Sequence, residues 1–345
     1  MTATTQSAGL QTIDFSPFLQ SKDPAVRKAK AEEIVAALHV QGTVGIVGHS
    51  LPVERLRAAF EVSRKFFALP FDEKAKASHV NGIVPHRGFS GIGREKCLVY
   101  TEEELERMEG ELSPESTKPL DLKEHYDIGS DEEKVHYNLW IDEDAYPGFR
   151  AFTIGLYWEL EALARAVQEA LVLGLEVSED AANDFKKNHT GQQNGLRLLH
   201  YPSASKAFID RNPTTWCPMH TDFTTFTMLF QDDKQGLEIE DRTSPGTFLQ
   251  ASTEIENRLY LTIGDFGEIW SNGYLPASKH RVIIPEAMDG TDITPPRYSM
   301  PYFVNSEHDW IVGPQQTGKP GTMPNGKFKT GTVKEHIEFR MAHQY

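Results

Sequence analysis

The sequence predicts an α+β protein, with helices gathered in the first half and an antiparallel sandwich or barrel of strands in the second. Two observations carry this. Up to about residue 175, apolar residues recur every three or four positions, the period of a helix that buries one face. After Asn194-Gly195, short apolar runs alternate with turn residues, the pattern of strands. Helices first and strands second is an α+β order.

The elements follow in sequence. Ile13-Asp14-Phe15 is a short apolar stretch. Asp23-Pro24 supplies a helix cap and a proline at the first helical position; Ile34, Val35 and Leu38 form the apolar face and Gly42 the stop. Thr43 to Val47 reads as a buried strand, closed by Gly48-His49. A second helix starts near Leu51-Pro52, carries Val53, Leu56, Phe60 and Phe67 at helical spacing, and ends at Leu69-Pro70. Residues 101–118 are acidic and interrupted by Ser113-Pro114, which reads as an exposed, mobile insertion. From Phe149 to Leu175 the apolar positions Phe152, Leu156, Leu160, Leu163, Val167 and Leu171 step by three and four. That is a long backbone helix of roughly seven turns, expected to pack across a sheet, and its stripe means core packing. Strands are expected at Leu196–Tyr201, Thr225–Phe230, Leu237–Ile239, Leu259–Ile263, His280–Ile284 and Tyr298–Val304. Gly318 to Lys329 suits a loop over a barrel mouth, and Lys334 to His343 a closing helix. No internal repeat or low-complexity tract is visible.

Composition bounds the function. The chain has 345 residues, 39% of them hydrophobic, enough for a sizeable core. A formal net charge of −15 argues against nucleic acid and against anionic membrane surfaces. The two cysteines, Cys97 and Cys217, are too few for a disulfide scaffold and point to a reducing compartment. Met1 to Gly9 lacks an apolar signal region, and no run approaches the ~18 apolar residues of a membrane span. The expected location is cytoplasmic.

Two places carry the chemistry: His220-Thr221-Asp222, and His280. Residues i and i+2 of a strand share a face, so an imidazole and a carboxylate so spaced can grip one metal ion. A second imidazole completes a 2-His-1-carboxylate facial triad, the ligand set of non-heme Fe(II) oxygenases, with coordination positions left open. With 13 histidines, H-x-D arises by accident, and His125-Tyr126-Asp127 is a second instance. Context separates them: His220 and Asp222 lie in the β-rich half, whereas His125 and Asp127 sit in polar sequence with no strand pattern. The bland reading of His220 is a turn histidine capped by its neighbour, and of His280 a satisfied histidine. Arg297-Tyr298-Ser299 places a guanidinium and a hydroxyl on one face. Buried, such a pair needs an anion; at the surface it would be an ordinary ion pair. Phe223, Phe226 and Tyr302 suggest an organic ligand with apolar surface, or else core. Cys217 lies three residues before His220, but Pro218 between them argues against a shared face. Gly88 to Gly93 is glycine-rich without the Lys-Ser/Thr ending of a phosphate loop, and no G-x-S-x-G elbow occurs.

The ordered set H-x-D, distal His, R-x-S resembles the isopenicillin N synthase-like family of 2-oxoglutarate/Fe(II)-dependent dioxygenases. The resemblance spans about residues 11–345. Gly42–His49 resembles the family's first strand and turn, and Phe66-Phe67-Ala68-Leu69-Pro70 its F-F-x-L-P helix end. Arg87-Gly88-Phe89 resembles R-G-Y, and Asp121-Leu122-Lys123-Glu124 with Asp127-Ile128-Gly129 resembles D-L-K-E…D-I-G, which makes the second H-x-D a conventional non-ligand segment. Asn138-Leu139-Trp140 and Pro147-Gly148-Phe149-Arg150 resemble N-x-W and P-G-F-R.

The resemblance implies one domain over residues 1–345. It has an N-terminal helical and strand region (11–150), a double-stranded β-helix or jelly-roll core binding Fe(II) and 2-oxoglutarate (190–305), and a C-terminal loop and helix (306–345). It implies iron ligands at His220, Asp222 and His280, and 2-oxoglutarate contacts from Arg297 and Ser299, with Tyr201 assisting. Two departures stand out: Leu199 where many relatives carry Asn, and a longer gap from His280 to Arg297 through an insertion at Glu286–Pro296 that could reshape one rim of the pocket. The implied reaction consumes O2 and 2-oxoglutarate, releases succinate and CO2, and hydroxylates, desaturates or cyclises a small organic metabolite of secondary metabolism. The rival readings are an isopenicillin N synthase-like oxidase without 2-oxoglutarate, and a non-catalytic binding module on the same fold. The family is commonly monomeric, and only a small-molecule partner is expected.

Overall fold

The computed structural model describes residues 9–80, 85–93, 120–211, 214–288, 290–315, 317–321 and 331–341. The expected insertion at 101–118, Cys97 and most of the loop expected at Gly318–Lys329 lie outside them. The described helices are α1 (Ser16–Gln20), α2 (Pro24–Gln41), α3 (Val53–Phe67), α4 (Phe71–Ala75), α5 (Phe149–Leu175), α6 (Glu179–Lys187), α7 (Lys206–Arg211), α8 (Asp265–Trp270) and α9 (Val333–Met341). Local chemistry sets the ends of α2. The Asp23 carboxylate accepts the Ala25 N–H at 2.9 Å, the cap interaction that Pro24 at the first position permits. Gly42 closes it with φ of 69°, a left-handed conformation costly for residues with a Cβ.

Twelve strands form two sheets, and strands from both build the site. The large sheet runs in the order β1 (Thr12–Asp14), β2 (Thr43–Val47), β12 (Leu259–Ile263), β9 (Phe226–Gln231), β14 (Arg297–Val304), β6 (Gly195–Tyr201), β5 (Glu124–Gly129), β3 (Gly88–Ser90). Apart from the parallel β1–β2 pair, its neighbours are antiparallel. The small sheet is β11 (Phe248–Gln250), β10 (Leu237–Glu240), β13 (His280–Val282), β8 (Cys217–His220), wholly antiparallel. Outside these sheets, β4 (Leu120–Asp121) pairs with β7 (Thr214–Thr215), and β15 (Ile311–Val312) with β16 (Gly331–Thr332).

Side chains alternate across the large sheet, as a strand's two-residue period requires. Even positions of its central strands turn to the helices. Leu196 and Leu198, Phe226, Met228 and Phe230, and Met300, Tyr302 and Val304 join one cluster with Ile34, Val35 and Leu38 of α2 and Leu160, Leu163, Val167 and Leu171 of α5. Odd positions turn the other way, where Leu199, Tyr201 and Leu229 meet Trp216, Cys217, Leu237, Ile239 and Val282 beneath the small sheet. The two-layer strand core is thus dry on the helix side and opens into a cavity on the other.

Four expectations need correction. His125 and Asp127 lie on a strand after all: β5 is buried along its whole length, because its polar side chains find partners inside. His220 ends a four-residue strand, β8, that Pro218 concealed; proline is tolerated there because β8 is the sheet's edge. β13 stops at Val282, short of Ile284. The described residues of 286–296 dock on the segment 204–206, through Thr294 N to Ala204 O (2.9 Å) and Lys206 N to Asp292 O (2.7 Å), and none of them lines the cavity.

Candidate active site

β8 and β13 are neighbours, and their register sets His220 opposite His280. The register slips by one residue between His280 and Val282. Such a bulge re-aims side chains beside active sites. The imidazole centroids end 4.3 Å apart. Asp222 reaches the same point from the turn after β8, not from the strand itself. The structure brings His220 and Asp222 together, but a turn and not a shared strand face places the carboxylate.

Helix α8 pins that turn. Asp265 N donates to Asp222 O at 2.8 Å and Phe266 N to Thr224 O at 3.1 Å. Gly264 makes the approach possible, because a Cβ there would lie 2.4 Å from Thr224 O and 2.7 Å from Asp222 O.

The donor atoms converge. His220 Nε2 lies 3.6 Å and His280 Nε2 3.8 Å from Asp222 Oδ1, and one ligand atom of each residue falls within 4.8 Å of the others. Ligands bonded to one first-row metal at about 2.0–2.2 Å sit at such separations. The far edges of the rings are held. His220 Nδ1 meets Pro218 O at 2.9 Å, and His280 Nδ1 meets Ser278 O at 3.1 Å. A proton on each Nδ1 leaves both Nε2 lone pairs facing the centre. Thr227 Oγ1 donates to Asp222 Oδ2 at 2.6 Å, leaving Oδ1 toward the histidines. Burial, then the nearby His220, pushes His280 below the usual imidazole range, against the pull of Asp222. The neutral form so favoured is the one that ligates a metal. These three residues fit a divalent metal. Cys217 Sγ lies 3.8 Å from His220 Nδ1, at the ring edge turned away from Asp222.

A second group, His86, His125 and Asp127, brings three donors equally close. There the anion is already taken. Arg197 Nε and Nη2 clamp the Asp127 carboxylate at 2.7 and 3.1 Å. Burial alone would raise the Asp127 pKa; Arg197, then His125, outweigh it and hold the carboxyl well below its usual range. A guanidinium on the carboxylate occupies the place a cation would need, so the group reads as an ion-pair network.

Arg297 and Ser299 share the odd face, as their spacing implies, and both are buried. Arg297 Nη2 donates to Gln231 Oε1 at 2.9 Å and Nη1 to Ser299 Oγ at 3.3 Å. Among the described residues no carboxylate pairs with it, and its Nε–H has no acceptor. Tyr201, opposite Arg297 in register, turns its ring toward the guanidinium, 5.0 Å from centroid to Cζ. A buried cation with spare donors is costly unless an anion arrives.

His220, Asp222, His280, Arg297, Ser299 and Tyr201 all line one cavity of about 190 Å³. Leu199 lines it also, as does Phe223. Phe226 and Tyr302 do not: their even positions put them in the helix-side core. Several lining residues escaped the sequence reading: Thr227, which holds Asp222, and Lys123, His86, Arg87, Asp127 and Arg197. Gln231, which orients Arg297, escaped it as well. Extending the odd-face rule from Arg297 and Ser299 to β6 and β9 would have found Arg197, Thr227 and Gln231.

The chain resembles known proteins over nearly its whole length. Residues 10–143 match the family described as non-haem dioxygenase in morphine synthesis N-terminal, and residues 193–306 the 2OG-Fe(II) oxygenase superfamily. It is 33% identical to the 2-oxoglutarate-Fe(II) type oxidoreductase ppzD of Metarhizium rileyi, over 93% of this chain and 88% of the relative. It is 31% identical to the proline hydroxylase buaE of Petromyces alliaceus, over 88% of this chain and 89% of the relative. The crystal structure of a full-length Neurospora crassa protein in complex with alpha-KG and thymine superposes with a TM-score of 0.80 at 29% identity, covering 97% of each chain.

Proposed function

This chain belongs to the 2-oxoglutarate/Fe(II)-dependent dioxygenases, and from that premise we propose that His220, Asp222 and His280 hold the iron while Arg297, Ser299 and Tyr201 hold 2-oxoglutarate. As a member it is an oxidoreductase that uses Fe(II), 2-oxoglutarate and O2 on a small organic molecule, releasing succinate and CO2. The observation that carries the residue assignment is the pairing of two features in one cavity: three converging donors, and a buried guanidinium with an unused N–H. When bound, iron supplies the redox chemistry that splits 2-oxoglutarate and oxidises a C–H bond of the substrate.

The protein's own part is placement. The two Nδ1 contacts and Thr227 aim three donors at one point. Arg297, steadied by Gln231, binds the far carboxylate of 2-oxoglutarate with Ser299 adding a donor, and Tyr201 flanks that site. Leu199 lines the cavity but offers no hydrogen bond, so 2-oxoglutarate would gain none from this position of β6. Phe223, Leu229 and Val282 give the same cavity an apolar part of its wall.

We further infer that the substrate is a natural-product or amino-acid-derived intermediate of secondary metabolism; relatives named as fungal 2-oxoglutarate-dependent dioxygenases and a proline hydroxylase support this. We read residues 1–345 as one domain with its jelly-roll core at 190–305, braced by α5 as its backbone helix, acting as a cytoplasmic monomer. Among the described residues no helix is long and apolar enough to cross a membrane.

Anaerobic addition of Fe(II) and 2-oxoglutarate tests the assignment. The wild type should develop a metal-to-ligand absorption band. Arg297→Met should need at least about thirtyfold more 2-oxoglutarate, the loss of a charge-assisted pair worth roughly 2–3 kcal/mol. Equal 2-oxoglutarate affinity in the two proteins would remove Arg297 from the site, and aerobic turnover without succinate would remove the reaction.

A further inference from the structure

We propose that Lys123 and Cys217 form an oxygen-dependent covalent bridge, Nζ–O–Sγ, that works as a redox switch beside the metal site. The inference goes beyond the dioxygenase reading and rests on it only for the supply of O2. Lys123, just before β5, and Cys217, the first residue of β8, are 5% and 7% exposed. Both line the cavity that holds the three converging donors. Lys123 Nζ meets Cys217 Sγ at 3.9 Å. The lysine stem is flexible, so a small turn of it narrows this gap to the span of one bridging oxygen atom.

The fold brings the two side chains together from different walls. Lys123 enters from the large-sheet side, next to Leu122, and Cys217 from the small sheet; Leu122 and Cys217 share one apolar cluster with Leu199, Tyr201 and Val282. Lysine is rarely buried to this degree, and here burial holds its side chain at the thiol. A thiol sealed in a core is inert, but one on a cavity wall is open to oxidation. A dioxygenase with its metal at these three donors receives O2 in this same cavity. The thiol also lies 3.8 Å from His220 Nδ1. A bridge at Cys217 therefore acts on the four-residue strand that ends in His220.

The step balances with O2 as the oxidant. The Lys123 ammonium and the Cys217 thiol react with one O2. Two N–H bonds, the S–H bond and the O–O bond break; an N–O bond, an O–S bond and the two O–H bonds of one water form, and one proton is released. Sulfur and nitrogen each lose two electrons, and O2 takes all four. A dithiol returns those four electrons with their protons and restores the ammonium, the thiol and a second water. The ordinary products of cysteine oxidation carry oxygen on sulfur alone and would leave the two walls untethered.

Peptide mapping by mass spectrometry without reductant tests the bridge, on full-length wild type held in air and under argon. Air should give a cross-linked pair of peptides containing Lys123 and Cys217, heavier than the two by one oxygen less two hydrogens. Argon should give none, and dithiothreitol should remove it. Lys123→Arg and Cys217→Ser should form no cross-link. Aerated wild type without the cross-link, or with oxygen on Cys217 alone, would overturn the proposal, as would the same cross-link in K123R. Should a variant not fold, the comparison of air with argon in the wild type decides by itself. Anaerobic Fe(II) titration reads the switch: the cross-linked protein should bind iron at least about tenfold more weakly than the same sample after dithiothreitol, the scale on which a disturbed neighbour of a metal ligand acts. Equal affinity would overturn the switch. The mapping needs neither iron nor turnover. A failed dioxygenase reading would therefore show as missing succinate, and a failed bridge as a missing cross-link.

Discussion

Asp222 shows how much of a site depends on one hydrogen bond. Its Oδ2 accepts from Thr227, so Oδ1 is the oxygen presented to the histidines. Thr227→Val keeps the shape and deletes that donor. Iron affinity should fall by about ten- to a hundredfold, the usual cost of losing a partner behind a metal ligand, while Thr227→Ser should restore most of it. An iron titration that leaves T227V indistinguishable from wild type would show the contact to be incidental. At this scale the sequence was readable where spacing alone determined the outcome. His220, Asp222 and His280 stood out as residue types, and Arg297 and Ser299 by their separation of two. It was unreadable where the partner came from another strand, as with Gln231 for Arg297 or Arg197 for Asp127. Only the Arg197 contact shows that His125-x-Asp127 is a closed ion-pair network, and no local feature of that motif reveals it.

Among the elements, the long amphipathic helices and the apolar strands were legible because burial writes a period into the sequence. β5 was not, because its burial is polar. Glu124 takes Lys74 at 2.8 Å and His200 at 2.8 Å, and Asp127 takes Arg197. A hydrophobicity pattern carries no sign of such pairs. β8 was hidden by Pro218, acceptable only on an edge strand beside a bulge. The contact of α8 with the 222–225 turn is another relation between elements, and it makes a prediction. Gly264→Ala would push a Cβ to 2.4 Å from Thr224 O. The variant should lose about 1–3 kcal/mol of stability, the usual cost of overpacking, and bind iron more weakly because the Asp222 turn shifts. Urea unfolding checks the first effect and a metal titration the second; a variant as stable as wild type would contradict the close approach.

At the scale of the whole molecule, His189 ties α6 to the turn that leads into β9. The buried imidazole donates from Nδ1 to Phe185 O at 2.8 Å, and its Nε2 accepts from Thr225 Oγ1 at 2.8 Å. Burial lowers its pKa to about 4, from an ordinary 6.5. Between these values the unfolded chain binds the proton and the folded chain does not. Stability is therefore present above pH about 6.5 and is lost as pH falls toward about 4, by up to roughly 3 kcal/mol from this residue. His189→Asn should be less stable at neutral pH and show a flatter acid limb in thermal melts of the metal-free protein. An unchanged acid limb would assign the loss to other groups. The larger claim is that two strands of the small sheet and one turn beside them assemble a single metal-binding point on the cavity wall. Anaerobic Fe(II) titration of the metal-free wild type against His220→Ala and His280→Ala, with circular dichroism to confirm folding, tests it most directly. The account predicts one equivalent bound by the wild type and none by either folded variant; iron retained by both variants at wild-type affinity would contradict it.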